Sequence, residues 1–472
     1  MATRARTNAR IRLFVAVAGV VLLIAVVVAL TRGGSDVRVP LPGVGRVARA
    51  GDPFGWVPGH DAQFVARATA GGSHVLFTKS PGGALATAAR VAAFRPQIEA
   101  ATRGTGIDPN LVEGIVFVES AGRPYVLAGA DASSAAGLTQ ILASTGQSLL
   151  GMHVDLARSR KALVKVGNAG SPAQFARALR GLVKVDDRFS PRKALAGTVR
   201  YLQAAQRRFG RTDLAVVSYH MGIGNLQHVL DDYDGGRAVP YAQLYFDTAP
   251  DRHASAYRLL TSFGDQSSLY YWRVLGAAQI MQLYRSNRAA LRRLASLQNS
   301  RASTTAVLHP PDRTVAFADP NALSSAYARR VLVPLPSNAA HLGLGYSRSI
   351  GGGASRLHVP AALYRGLRPA ALDLLVTLAA RVRALSGRGA LTVAGAVSDA
   401  RLQRALGIDD PDALNGYTFS IARRYVSRAQ AASFQSLLDR LQALNLIAWT
   451  RNLDTIEVTV ASDASHVIVG GV

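Results

Sequence analysis

Cysteine is absent from this 472-residue chain. Disulfides, thiolate nucleophiles, cysteine-ligated zinc and iron–sulfur clusters are therefore excluded. Acidic residues are scarce: 29 Asp and Glu stand against 54 Lys and Arg, a formal net charge of +25. Glutamate is scarcer still. Only Glu99, Glu113, Glu119 and Glu457 occur, so a reaction that needs a glutamate has four candidates. The histidines His60, His74, His153, His228, His253, His309, His341 and His358 are scattered, with no His-x-x-x-His pair, and make no case for a metal; no cofactor is expected. What is plentiful is apolar: 49% of residues are hydrophobic, enough for real cores and against wholesale disorder.

The length suggests two or three domains at about 150 residues each. The N-terminus is basic, with Arg4, Arg6, Arg10 and Arg12, and Leu13 to Leu30 then runs without a charge. That run is near the lower limit for a spanning helix and longer than a usual signal-peptide core. Arginines on its N-terminal side keep that end cytoplasmic by the positive-inside rule. The expectation is a single-pass protein of the cell membrane, with 1–12 a cytoplasmic tail, 13–30 the transmembrane helix and the remainder extracytoplasmic. A cleaved signal peptide is the alternative, and it too exports the bulk of the chain.

Residues 31–85 are rich in Gly, Pro, Ala and Arg, with little periodicity, and read as a stalk with some local order around Phe54 and Trp56. The pattern over 86–297 is helical. Asp108-Pro109 is a helix start, followed by Leu111, Ile115 and Val118 at helical spacing. Ser190-Pro191 is another; Leu195, Val199, Leu202 and Phe209 form its apolar face and Gly210 its stop. A third helix over about 213–221 carries Leu214, Val217 and Met221, and a fourth covers about 268–297. Residues 298–360 read as a connector with Pro- and Gly-rich clusters. From 361 to 472 the pattern turns to mixed α and β, with helices after Arg368 and Ser427 and strands at Leu391–Ala394, Thr455–Val460 and Val467–Val469. The fold class is therefore multidomain: an N-terminal transmembrane helix, an all-α domain and a C-terminal α+β domain.

Glu119 follows Ile115 by four residues and Leu111 by eight, which puts it on the apolar side of its helix near the C-terminal end. Lost water and the negative end of the helix dipole both raise the pKa of such a carboxyl, as a general acid near neutral pH requires. Pairing with one of the many arginines is the plainer reading of the same position. Glu113 lies about 240° around the helix and cannot share a face with Glu119.

Three stretches occur in order: Val118-Glu119-Ser120, Gly137-Leu138-Thr139-Gln140-Ile141, and Ser218-Tyr219-His220-Met221-Gly222. At these stretches, and in the helix that begins at Ser190-Pro191, residues 90–285 resemble the lytic transglycosylase domain of the soluble-transglycosylase, goose-lysozyme-like type. That resemblance implies a lysozyme-like fold and cleavage of the β-1,4 bond between N-acetylmuramic acid and N-acetylglucosamine in peptidoglycan glycan strands. It implies that Glu119 is the single catalytic acid and base, that Ser120 and Gln140 line the sugar cleft, and that Gly137 allows close backbone approach. It places Tyr219 beside Glu119 and His220 against the sugar. Attack by the muramoyl 6-hydroxyl would give a 1,6-anhydro end and needs no second carboxylate; Asp131 is the candidate partner if the enzyme is a hydrolytic muramidase instead. Thr139, Ala143 and His220 depart from the Met, Pro and Asn usual in the family, which leaves a wall-binding scaffold without turnover as an alternative. Residues 151–200 hold 11 Lys and Arg and 3 Asp, either a solvated basic surface or a contact to an acidic polymer.

Within 361–472, Ala413 to Ala422 and Thr455 to Val460 resemble the metal motifs of zinc D-alanyl-D-alanine carboxypeptidases. The family's ligand positions here hold Ala413, Ser420 and Glu457, with His466 outside the motif, so the resemblance implies a degenerate, metal-free domain that holds wall peptide or a cell-wall partner protein. An exported chain with no nucleic-acid module is not expected to bind nucleic acid.

Overall fold

The computed structural model describes residues 52, 54–309, 314–337, 339–387 and 389–464. The expected cytoplasmic tail and membrane helix, the start of the stalk, His466 and the strand at 467–469 lie outside the described residues. Among the described residues no helix is long and apolar enough to cross a membrane. The described chain is mostly helical up to Leu308 and continues as mixed α and β with a five-stranded sheet.

The helices used below are, in chain order, α1 (Asp61–Lys79), α2 (Ala84–Ala92), α3 (Arg95–Thr102), α4 (Pro109–Ser120), α5 (Leu156–Gly167), α6 (Pro172–Val185), α7 (Pro191–Phe209), α8 (Thr212–Met221), α9 (Tyr270–Ser286), α10 (Pro369–Ser386) and α11 (Arg428–Ala443). The strands of the sheet are β1 (Leu344–Tyr346), β2 (Leu391–Gly395), β3 (Thr418–Ala422), β4 (Ile447–Arg451) and β5 (Thr455–Val460). They lie in the order β1-β2-β3-β5-β4, with β1 and β2 parallel and the other pairs antiparallel.

Two compact units divide the chain. Of the described residues, one comprises 79–223 and 264–288; the other comprises 52, 54–78, 224–263 and those described between 289 and 464. Each is discontinuous in sequence, whereas the sequence reading draws contiguous segments with borders at 86, 298 and 361.

In the first unit the local signals act where they are written. The Asp108 side chain accepts a hydrogen bond from the Asn110 N–H, and Pro109 opens α4 where its missing N–H costs nothing. Gly210 closes α7 in the left-handed region, at φ 68°. The periodic faces of α7 and α8 are buried: Leu195, Val199, Leu202, Phe209, Leu214, Val217 and Met221. Each such side chain contributes about 1.5–3 kcal/mol through the water it leaves. The long helix expected over 268–297 is two helices, α9 and Arg288–Gln298, because Asn287 leaves helical geometry at φ −153°, ψ 75°.

In the second unit, α1 occupies much of the expected stalk. Phe64, Ala68, Gly72 and Leu76 recur every four residues and are buried. The alternation of Ala, Gly and polar residues between them hides the period in the sequence. The expected connector holds two further helices, Ser303–Leu308 and Pro320–Ala328, as well as β1. In the α+β part, Ser427 caps α11 by accepting from the Gln430 N–H, and Gly387 closes α10. Strands β1 and β4 are additions to the sequence reading.

Candidate active site

The site is built on the packing of α4 against α9. Gly114 makes it close: a Cβ there would lie 2.5 Å from the Val274 carbonyl oxygen. The two helices run antiparallel, since Glu113 meets Arg285 at one end and Glu119 meets Tyr270 at the other. Helix α4 then ends at once. Ala121 takes the left-handed conformation, at φ 53°, and returns its N–H to the Phe117 carbonyl.

Glu119 is therefore on the last turn of its helix, half-buried. The Tyr270 hydroxyl donates to its Oε1 at 2.6 Å. Loss of water pushes its pKa up to about 7, against the hydrogen bond from Tyr270, which lowers it. No arginine and no second carboxylate is among the groups that shift it. The arginine pairing available to Glu119 on sequence grounds belongs instead to Glu113. That residue is fully buried, bridged to Arg95 at 3.0 Å and to Arg285, and takes no part in the Glu119 site.

Tyrosines surround the carboxyl. The Tyr219 ring stacks on Tyr270 with centroids 6.4 Å apart and planes 13° from parallel, and Tyr201 meets Tyr219 edge-on at 5.1 Å. Such pairs contribute about 0.5–1.5 kcal/mol beyond the area they bury. Burial and the negative charge of Glu119 drive the Tyr219 and Tyr270 hydroxyls far above their ordinary pKa, so both keep their protons and act as donors. The Tyr219 hydroxyl donates to the Thr139 carbonyl at 2.8 Å and lies 3.1 Å from Thr198 Oγ1. Thus the tyrosine stretch is tied to the glutamine stretch, and both reach the glutamate through Tyr270.

The loop 126–141 is held by its own backbone and by Gln140. Gln140 adopts φ 50°, and its Nε2 donates to the carbonyls of Val126 and Gly137 at 3.1 and 2.8 Å. Gly137 is buried at φ 81°, and a Cβ there would sit 1.8 Å from the Arg188 carbonyl oxygen. Its bareness thus serves the packing of this chain on itself. Ser120 is also buried, with its hydroxyl donating to the Val116 carbonyl at 3.2 Å. His220 keeps an exposed edge. Its ring lies 5.2 Å from Tyr270 and its Nδ1 is 3.0 Å from Ser267 Oγ. Desolvation by its neighbours, then the charge of Arg273, lower the imidazole pKa and favour the neutral ring. Asp131, the other carboxylate weighed on sequence grounds, is gripped by Arg160 through two bonds of 2.8 and 3.1 Å, which hold it well below the usual carboxylate range.

The structure therefore brings Glu119, Tyr219 and His220 around one ring, Tyr270, and connects Gln140 to them through the Thr139 carbonyl. Tyr270, Thr198 and Ser267 escaped the sequence reading. Tyr270 is 151 residues from Glu119, and no periodicity links them; the cluster Tyr270-Tyr271-Trp272 at a helix start is the one local signal.

In the second unit, Ser420 and Glu457 are register partners on β3 and β5, and Ala413 lies in the short turn Pro411–Leu414. Burial, then the charges of Asp410 and Asp412, push the Glu457 carboxyl up to about 7. Among the described residues no group of three or more His, Cys, Asp or Glu is placed to hold a metal ion.

No family model matches the chain, and no curated protein matches it.

Proposed function

We propose that this protein is a membrane-anchored lytic transglycosylase that cleaves the β-1,4 bond between N-acetylmuramic acid and N-acetylglucosamine in peptidoglycan. The observation that carries the reading is the state of Glu119: a half-buried carboxyl with a pKa of about 7, bonded by one neutral tyrosine hydroxyl and free of any arginine bridge. Such a group holds its proton near neutral pH and releases it readily. Glu119 protonates the glycosidic oxygen as the bond to the anomeric carbon breaks. The resulting carboxylate then takes the proton of the muramoyl 6-hydroxyl as that oxygen closes on its own anomeric carbon. The proton balance is complete with a single carboxyl, and the nucleophile arrives already attached to the substrate.

Tyr270 orients the carboxyl, and the donated hydrogen bond stabilises its charged form between the two proton transfers. Neutral His220 and Gln140 offer hydrogen-bonding groups to sugar hydroxyls and acetamides. The hydrophobic run 13–30 anchors the chain, with the catalytic unit outside the cytoplasm, and 361–472 contributes contact to wall peptide or to a wall protein.

The test is digestion of purified sacculi by the full-length protein, followed by mass analysis of the released muropeptides. Anhydro ends are expected, and Glu119→Gln is expected to lower their release by at least about a hundredfold. Reducing ends in their place would make the protein a muramidase. Binding to sacculi without any release would make it a scaffold.

A further inference from the structure

Helices α5 and α6 form a hairpin that the transglycosylase reading leaves without a task. From Leu156 to Val185 the sequence holds seven Lys and Arg and no acid. The two helices bury a shared apolar face, with Leu182 at its centre and Ala162, Leu163, Val166, Leu179 and Val183 packed around it. Their remaining faces diverge into an open groove of about 700 Å³. Arg158, Lys161, Lys165 and Arg177 line it, with the amides of Asn168 and Gln174, and no carboxylate is among its lining residues. Lys161, Lys165 and Arg177 are exposed and enter none of the described ion pairs; Arg158 reaches Asp155 at 3.4 Å.

The hairpin is fixed to its unit. Ser159 donates to Asp186 at 2.8 Å, and Asp186 is bridged to Arg188 at 2.7 Å, both fully buried. Arg188 also donates to the carbonyls of Ala132, Ser134 and Ile141, in the loop that carries Gln140. The hairpin backbone is thus anchored, so a ligand orders the exposed Lys and Arg side chains but not the helices that carry them.

We infer that this groove binds a phosphodiester-linked polyanionic strand of the cell wall. Four cations lining one groove, three of them in none of the described ion pairs, match a linear row of singly charged phosphates. Lys offers compact point charges and Arg paired donors to the phosphate oxygens. The lining holds no aromatic ring, whereas grooves for single-stranded nucleic acid combine cations with rings on which bases stack. The choice of a wall polymer rests on the wall-facing reading of Glu119; the anion site itself does not. Binding here would hold the enzyme on polymer-bearing wall while Glu119 acts on glycan.

The experiment is equilibrium binding of fluorescent synthetic poly(glycerol phosphate) to the full-length protein in neutral detergent, across a salt series. Affinity is expected to fall with salt with a log–log slope of about 3, the release expected from four neutralised phosphates on a single strand. Lys161→Glu/Lys165→Glu/Arg177→Glu is expected to weaken binding at least tenfold at an unchanged melting temperature. Lys161→Arg/Lys165→Arg/Arg177→Lys is expected to retain it, which separates loss of charge from loss of fold. Glu119→Gln is expected to bind fully, so a failure of the catalytic reading shows in glycan release and a failure of this one in polymer binding. No binding, or binding indifferent to the charge reversal, overturns the inference. So does equal or tighter binding of oligothymidylate, or capture by phosphatidylglycerol vesicles through the same lysines with the polymer ignored.

Discussion

At the scale of single residues, the proposed chemistry rests on what surrounds one carboxyl. A free glutamate near pH 7 is almost wholly charged and a poor acid. Glu119 is not, because its water is largely replaced by the stacked rings of Tyr270 and Tyr219. The sign of the consequence for stability follows from linkage. The folded pKa, about 7, lies above the unfolded value near 4.5, so the native state binds the extra proton between those pH values. Glu119 therefore costs nothing at pH 4 and destabilises increasingly as pH rises from 4.5 through 7. Glu119→Gln should raise stability at pH 8 by roughly 1–3 kcal/mol and leave it nearly unchanged at pH 4, as denaturant titrations at the two pH values would read. An equal gain at both would mean that the carboxyl is not perturbed.

Tyr270→Phe tests the partner. The hydroxyl lowers the Glu119 pKa, so its removal should move the alkaline limb of the pH–activity profile upward by up to about one pH unit and lower activity at pH 7 about tenfold. Loss of activity with an unmoved limb would assign Tyr270 a purely structural role. The position of Glu119 on its helix was legible from the four-residue spacing to Ile115. The absence of an arginine partner was not, because the chain is rich in arginine and only packing decides that Arg95 and Arg285 turn to Glu113.

At the scale of elements, helix starts and stops were written locally. Asp108-Pro109, Pro191, Ser427 and Gly210 act within one turn of themselves, so the sequence shows them plainly; Ser190 makes no side-chain cap. Elements whose existence depends on partners were harder to see. Helix α1 has an apolar stripe diluted by Ala and Gly, and the short strand β1 is defined by its pairing with β2. The loop 126–141 is the case that bears on the proposed site. Much of its order depends on Arg188, which satisfies three of its carbonyls and the buried Asp186 at once. Arg188→Leu leaves that carboxylate buried without its partner and should destabilise the unit by about 3–5 kcal/mol in chemical denaturation. Adding Asp186→Asn should recover part of the loss, since the unpaired charge is then gone. If the single and double variants are equally unstable, the carbonyl bonds and not the ion pair hold the loop.

At the scale of the whole molecule, the chain is two units that interleave in sequence. Residues 52–78 and 224–263 belong with the α+β region. Gly71 lies against the backbone of Gln442 and Ala443, with room for no Cβ, and Asp52 is bridged to Arg440 at 2.9 Å and Arg381 at 3.5 Å. Deleting 361–472 should therefore do more than remove a C-terminal domain. Limited proteolysis with mass analysis should find new cleavage within 61–79 and 224–263, while α4 and α9 stay protected. Protection of 61–79 after the deletion would show that this helix packs elsewhere. The net charge of +25 is likewise uneven: the α5–α6 hairpin carries seven cations and no acid.

Composition and local pattern are enough to close off thiol and iron–sulfur chemistry, to mark where the main helices start and stop, and to single out which of four glutamates stands on an apolar helical face. Those are properties of composition and of contacts within a few residues, where the chain has no choice of partner. Long-range packing is what makes Tyr270 bond Glu119, gives the arginines to Glu113 and brings the Arg188 carbonyl against Gly137. It also makes the two units interleave in sequence. These outcomes depend on which distant surfaces bury one another, and that choice is made by the whole chain's packing.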